Sequence, residues 1–293
     1  MTGRKLAGVF APITTPFDSV TGEVAPARLR ENASRLLAAG LSGLVVTGST
    51  GEAPLLDPAE QRLVVACVRE ATPDGKWLIA GTGAESTRQA IALTRAAAGE
   101  GADAVLVRAP SYFGEAHSPA SLVDYFCAVA DASPVPVLVY NIPKYTRLTL
   151  EAGLIAQLTR HPRIAGVKQS SGDQRQLAAY REAAPRWSVF AGSGALLYTG
   201  LELGCDGGIV AVACFAAALC VEALQAFRAG DRARAGALQE RLTPLSKEIV
   251  DTLGPAGVKA AMDAVGLYGG PTRAPLTPLA STDRERVARL LAA

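Results

Sequence analysis

Short apolar runs alternate with longer amphipathic stretches through most of the chain. Eight runs, at residues 8–14, 43–48, 77–81, 104–109, 135–142, 164–169, 188–192 and 208–213, are rich in Val, Ile, Leu or Ala and lack strict polar alternation. Such runs read as parallel strands covered on both faces. Helix-start chemistry lies between them. Asp57-Pro58-Ala59-Glu60 supplies an N-cap, a first-turn proline and a capping-box Glu. Ser86-Thr87-Arg88-Gln89 is a second box, Ser118-Pro119 and Asp173 are further caps, and Gly40, Gly99 and Gly204 mark helix ends. Eight strand–helix units spaced by about 28 residues predict an α/β fold, a (β/α)8 TIM barrel. A doubly wound open sheet is the competing arrangement, but eight consecutive units favour closure, and no G-x-G-x-x-G follows the first run. Beyond Asp231 the strand pattern stops. Helices are predicted near 231–252, 255–266 and 282–292, joined by the Gly/Pro-rich segment 269–278. No linker intervenes, so the division is a barrel over 1–230 and a C-terminal helical extension over 231–293 packed on it.

Composition narrows the function classes. The chain has 293 residues, 49% hydrophobic and 19% charged, which excludes disorder. The formal net charge of +2 gives no footprint for nucleic acid. The apolar content makes a membrane span worth testing. The most apolar uncharged stretch, 209–221, has thirteen residues, short of the roughly 20 a spanning helix needs. The amino-terminal segment MTGRKLAGVFAP has no long apolar run and no cleavage-like site, so no signal peptide is expected. The five cysteines are odd in number and form no C-x-x-C pair, as suits a reduced, cytoplasmic setting. Two histidines, His117 and His161, leave a His-based zinc site short of ligands.

In a parallel barrel the chemistry sits at the C-terminal strand ends. Of six lysines only Lys168 lies within an apolar run, Ile164-Ala165-Gly166-Val167-Lys168. Alternation puts Ile164, Gly166 and Lys168 on one face, so Lys168 points into the barrel mouth. Burial there disfavours the charged ammonium and frees an amine to attack a ketone and form a Schiff base. The plainer reading is a lysine snorkelling to solvent. Tyr140, on the neighbouring run, shares a face with Leu138 and can place its phenol beside that amine as a proton shuttle, or simply pack as a core tyrosine. Gly48-Ser49-Thr50-Gly51 can hold a carboxylate with backbone N–H groups and two hydroxyls, or be an ordinary turn. Glu52 reads as an acid or as the anchor of that loop. Gly192-Ser193-Gly194 lies where barrels often bind phosphate, which keeps a phosphosugar enzyme open. Tyr112-Phe113 forms a lid or an interface.

GSTGE at 48–52, Tyr112, YNIP at 140–143, GVKQSSGD at 166–173 and CDGGI at 205–209 occur in that order. Together they resemble the pyruvate-dependent Schiff-base lyase family that includes dihydrodipicolinate synthase and N-acetylneuraminate lyase, from about Gly8 to RAPL at 273–276. The resemblance implies a barrel with C-terminal helices, usually a homotetramer (a dimer of dimers), needing no metal or organic cofactor. It makes Lys168 the Schiff-base lysine and Tyr140 the general acid and base. Thr50 becomes a hydroxyl relay to Tyr112, donated by a neighbouring subunit. Gly48, Ser49 and Thr50 bind the keto acid's carboxylate, and the Ile209 backbone lies beside it. Two departures bear on the aldehyde. The synthases carry an arginine two residues beyond YN-x-P, where this chain has Tyr145 flanked by Lys144 and, two residues on, Arg147. The N-acetylneuraminate lyases carry acidic residues after the seventh strand, where this chain reads Gly194-Ala195. AGTGAEST at 80–87, VADASPVPVLVY at 129–140, AGSGALL at 191–197 and GLYGGPTRAPL at 266–276 look most like 4-hydroxy-2-oxoglutarate aldolases. Cleavage of that acid to pyruvate and glyoxylate, in a small pocket lined by Ala195, Val210 and Ala211, is therefore the leading expectation. The synthase reaction, and an aldolase or dehydratase acting on 2-keto-3-deoxy sugar acids, are the alternatives. A non-catalytic binder on the same scaffold is a further class.

Overall fold

Among the described residues, 5–292 of the computed structural model, eight parallel strands close in sequence order into one barrel. Residues 1–4, part of the segment read above as lacking a signal peptide, and residue 293, the end of the expected extension, lie outside the described residues. The strands are β1 (Gly8–Pro12), β2 (Gly43–Val46), β3 (Trp77–Gly81), β4 (Ala104–Arg108), β5 (Val137–Asn141), β6 (Ile164–Gln169), β7 (Ser188–Ala191) and β8 (Gly207–Ile209). Phe10, Val45, Ile79, Leu106, Leu138, Tyr140, Phe190 and Ile209 fill the interior as one buried cluster. Alternate residues such as Val105, Val107, Val139 and Val167 belong to a second, larger cluster shared with the helices. Burial on both faces explains why the runs lacked polar alternation. The barrel is tight where Lys168 stands. A β-carbon on Gly166, two residues before it, would collide with the carbonyl oxygen of Ser188 on β7.

Seven of the runs match strands to within two residues at either end, and the eighth does not. The run 208–213 was expected to be extended, yet β8 stops at Ile209 and Ala211–Cys214 coils into a 3-10 turn. The Val210 N–H still reaches the Phe10 carbonyl, but the Ala213 N–H turns back to Val210. A short apolar run with no polar punctuation satisfies a buried strand and a buried turn equally.

The helix starts follow the caps. The Asp57 side chain accepts from the Ala59 and Glu60 N–H groups, and Glu60 returns the bond to the Asp57 N–H, which completes the box on helix Pro58–Ala71. Ser86, Ser118 and Asp173 each cap a helix, but Gln89 returns no bond to Ser86. Gly99 remains helical, and the left-handed turn falls instead at Gly101, φ +94°.

The C-terminal helical extension differs in one respect from its expected three helices. Arg232–Pro244 is α-helical, but Leu245–Thr252 is wound as a π-helix. Pro244 lacks the N–H that the regular ladder requires, and the wider turn follows it. Pro255 then disfavours helical geometry at the residue before it, and Gly254 takes φ +60°, ψ −148°. The chain thus breaks where the predicted helices 231–252 and 255–266 were separated. The rest of Leu253–Ala264 and Ser281–Ala292 follow as helices. The Asn32 amide, on helix Pro26–Ala38, bonds both the carbonyl (2.7 Å) and the N–H (3.0 Å) of Tyr268. Such bonds contribute about 0.5–1.5 kcal/mol each. All five cysteines, which lie among the described residues, are free thiols, and burial pushes Cys205 and Cys220 up to about 12, so both pack as hydrophobes. Among the described residues no helix is long and apolar enough to cross a membrane.

Candidate active site

The register of β5 and β6 places Tyr140 directly opposite Lys168, and β7 places Phe190 on the other side. Lys168 is 4% exposed and Tyr140 6%. Lys168 Nζ lies 3.2 Å from Tyr140 Oη and 4.3 Å from the centroid of its ring. On the outer side of the strands, the Asn141 amide (3.0 Å) and the Gln169 amide (2.7 Å) both donate to the Gln176 side-chain oxygen on helix Gln174–Ala183. The Asn141 oxygen accepts from the Leu150 N–H. Sequence reading passed over this strap. Its signal was two amides in otherwise apolar runs, each immediately after a candidate residue.

Amine and phenol open on a cavity of about 330 Å³ that Ser49 and Thr50 also line. Their loop is bracketed by two residues with left-handed backbone, Thr47 (φ 49°) and Glu52 (φ 57°). For β-branched Thr47 that conformation costs about 1–3 kcal/mol, and its hydroxyl is fixed by bonds to the Val46 and Gly81 carbonyls. Within the loop the Gly48 carbonyl accepts from Gly51 and Ala53, and the Ser49 carbonyl from Glu52. The N–H and hydroxyl groups of Ser49 and Thr50 are bonded to no other group among the described residues. This is a set of donors suited to a carboxylate.

Other expected site residues fall elsewhere. Gly48 lines a second cavity of about 290 Å³, which Ser49 and Tyr140 share with the first. Ile209 is fully buried in the barrel interior and does not border the first cavity. Tyr112 is 81% exposed, edge-on to Phe113 at 4.9 Å, and within one chain it is not brought to Lys168. Its loop is held by Glu85, which accepts from the Ser111 N–H and hydroxyl and the Tyr112 N–H, and pairs with Arg108 at 2.9 Å. Partial burial would raise the Glu85 carboxyl, but the bonds from Tyr112 and Ser111, with Arg108, overcome it and hold the group at about 2 rather than 4.5. A depressed carboxyl stabilises above its unfolded value and loses that contribution as pH falls through the folded one. Glu85→Gln is therefore expected to be less stable than the parent near neutrality, with the gap closing from about pH 4.5 towards pH 2. Paired thermal melts across that range check it. A gap that stays constant would refute it.

The cavity wall also corrects the expected pocket. Ala211 lines it, but Ala195 and Val210 do not. In their place the broken extension supplies Val250, Asp251, Gly254, Pro255 and Val258, which no strand-end argument could reach. Gly192 and Ser193 border this same cavity. Of the two cations near Tyr145, Lys144 lines the mouth and Arg147 does not. Lys144 Nζ donates to the Asp251 carbonyl at 2.6 Å. Burial holds the Asp251 carboxyl above its ordinary value, against the pull of Lys144 and Lys247.

A parallel barrel with a buried amine and phenol at its C-terminal mouth, beside a ring of carboxylate donors, defines a carbonyl-condensing lyase. The dihydrodipicolinate synthetase family pattern matches residues 5–293, and the chain belongs to that family, as a Schiff-base-forming carbon–carbon lyase. It is 35% identical over 288 residues to a 4-hydroxy-tetrahydrodipicolinate synthase of Methanoculleus marisnigri, covering 97% of this chain and 98% of the relative. It is 37% identical over 295 residues to 4-hydroxy-tetrahydrodipicolinate synthase 1 of Streptomyces coelicolor, covering 99% and 92%. Among solved structures it resembles YagE of Escherichia coli K12, a prophage protein of the same family in complex with pyruvate (TM-score 0.93, 28% identity, 98% of each chain). The chloride-inhibited dihydrodipicolinate synthase of Acinetobacter baumannii, also complexed with pyruvate, is similar to it at TM-score 0.92, with 31% identity and 98% of each chain. These relatives carry the synthase or family name. The finer likeness to 4-hydroxy-2-oxoglutarate aldolases has no counterpart among them.

Proposed function

We propose that this chain joins pyruvate to a carboxylate-bearing aldehyde through a Schiff base on Lys168, giving the 4-hydroxy-tetrahydrodipicolinate for which its relatives are named. The observation that carries the chemistry is the 3.2 Å contact between Lys168 Nζ and Tyr140 Oη inside the barrel. The neutral amine adds to the C2 ketone, and Tyr140 passes a proton to the departing hydroxyl, which leaves as water. The phenolate this leaves on Tyr140 takes a proton from the methyl carbon, which the iminium acidifies, to give an enamine. The enamine carbon attacks the aldehyde carbon and restores the iminium, the new alkoxide takes that proton from Tyr140, and the aldehyde partner's own amine adds to C2, closing the ring as a cyclic imine while the Lys168 amine departs. Ser49 and Thr50 hold the C1 carboxylate by charge-assisted bonds. Thr50 relays protons to the Tyr112 of a second copy. The exposed Tyr112-Phe113 pair supports assembly as a homotetramer, and its mass in solution checks this.

The chemistry of the product identifies the aldehyde. Disconnecting that six-membered ring beside its hydroxyl leaves pyruvate and a four-carbon amino acid bearing a terminal aldehyde. Lys144 and Asp251 at the cavity mouth offer opposite charges to such an amino-acid head. A second reading, cleavage of 4-hydroxy-2-oxoglutarate, is favoured by Tyr145 standing where the synthases carry their arginine. Incubation with pyruvate and either aspartate semialdehyde or glyoxylate, followed by product mass, separates them. The cyclised product from aspartate semialdehyde is expected. Turnover of glyoxylate alone, or dehydration of a 2-keto-3-deoxy sugar acid alone, would overturn the synthase reading.

A further inference from the structure

Glu52 does not face the cavity. Its carboxylate turns inward, fully buried, and meets Lys259 of helix Leu253–Ala264 at 2.6 Å between Oε1 and Nζ. The ammonium also donates to the Pro271 carbonyl at 2.6 Å and lies 4.3 Å from the Phe17 ring centroid. The second carboxylate oxygen accepts the Arg273 N–H at 2.8 Å. Two segments of the extension, the helix carrying Lys259 and the stretch carrying Arg273, therefore converge on the last residue of the loop whose N–H and hydroxyl groups face the substrate cavity. Burial pushes the Lys259 amine down, with Glu52 opposing it. Such a pair is a poor device for stability alone, since apolar side chains of similar volume often do as well or better. A charged pair adds direction, and Glu52 needs direction because its left-handed backbone (φ 57°) turns the chain out of the loop.

We propose that Lys259, acting through Glu52, is a positioning residue for the Ser49–Thr50 carboxylate receptor, so that the extension sets the enzyme's affinity for its keto acid. This rests on the reading of that loop as the pyruvate receptor. The neighbouring Val258 borders the same cavity, so one helix both walls the site and braces its receptor.

The test compares the full-length parent with Lys259→Met, Glu52→Gln and the double variant Glu52→Leu/Lys259→Met. Each single change leaves an unpaired buried charge and is expected to lower Tm. The double change removes both charges and is expected to recover it. If the pair positions the receptor, the double variant keeps a pyruvate KM raised by about tenfold or more, while kcat at saturating pyruvate falls far less. Borohydride at saturating pyruvate still traps Lys168. A double variant that regains both Tm and the parent's KM shows a purely structural pair and overturns the proposal. If pyruvate leaves no adduct on the parent protein, the Schiff-base reading fails first and this proposal fails with it.

Discussion

Lys168→Ala is expected to abolish the borohydride-trapped pyruvate adduct and to lower lyase activity by about 10⁴-fold or more. The expectation follows from what else could serve. Lys144 also borders the cavity, but its amine is at the mouth and is held by the Asp251 carbonyl. Lys259 is as buried as Lys168, yet it is committed to Glu52 and Pro271 and does not line the cavity. Among the described residues, only at position 168 does an amine meet a buried phenol. Lys168→Arg should fail equally, because a guanidinium stays protonated and cannot add to a ketone. Intact mass after reduction, then peptide mapping, reads the outcome. An adduct that survives in the alanine variant, or that maps to Lys144 or Lys259 in the parent, would remove the amine from the mechanism.

The chain's own pattern reached far because a barrel is made of repeated local decisions. Each strand is a short apolar run, the long helices that follow β2, β3, β4 and β6 begin at side-chain caps, and Asp57 with Glu60 performs as its spacing requires. The face shared by Leu138 and Tyr140, and by Gly166 and Lys168, follows from alternation alone and holds in the register. What failed was decided between elements distant in sequence. The run 208–213 leaves the sheet at Ile209 through packing that its composition does not encode. Strand ends alone point to Ala195, Val210 and Ala211, whereas only Ala211 of these borders the cavity and residues 250–258 complete its wall. A trace of that was legible. Pro244 and the Gly254-Pro255 pair announce two irregularities in one helical stretch, and such irregularities often sit at functional sites. The Asn141–Gln176–Gln169 strap was legible only as polar residues out of place, and Tyr112 is exposed within a single chain.

Tyr140→Phe is expected to separate binding from proton transfer. Phenylalanine keeps the ring that lies 4.3 Å from Lys168 Nζ and keeps the interior cluster filled, so the fold and Tm should change little. What it removes is the hydroxyl, among the described residues the one group hydrogen-bonded to the amine, and with it the means of delivering a proton to the departing water and to the new alkoxide. Loss of a positioned acid–base group typically costs 10²–10⁴-fold, so kcat should fall by about 10³-fold while pyruvate still condenses, slowly, on Lys168. Two measurements distinguish the steps. Borohydride trapping over time reports iminium formation, and exchange of the pyruvate methyl protons in deuterium oxide reports the enamine. If the phenol serves both proton transfers, trapping slows and the condensation rate falls with it. A variant that traps pyruvate and turns over at the parent's rate would make Tyr140 a packing residue and leave the proton traffic to Thr50 and its neighbours.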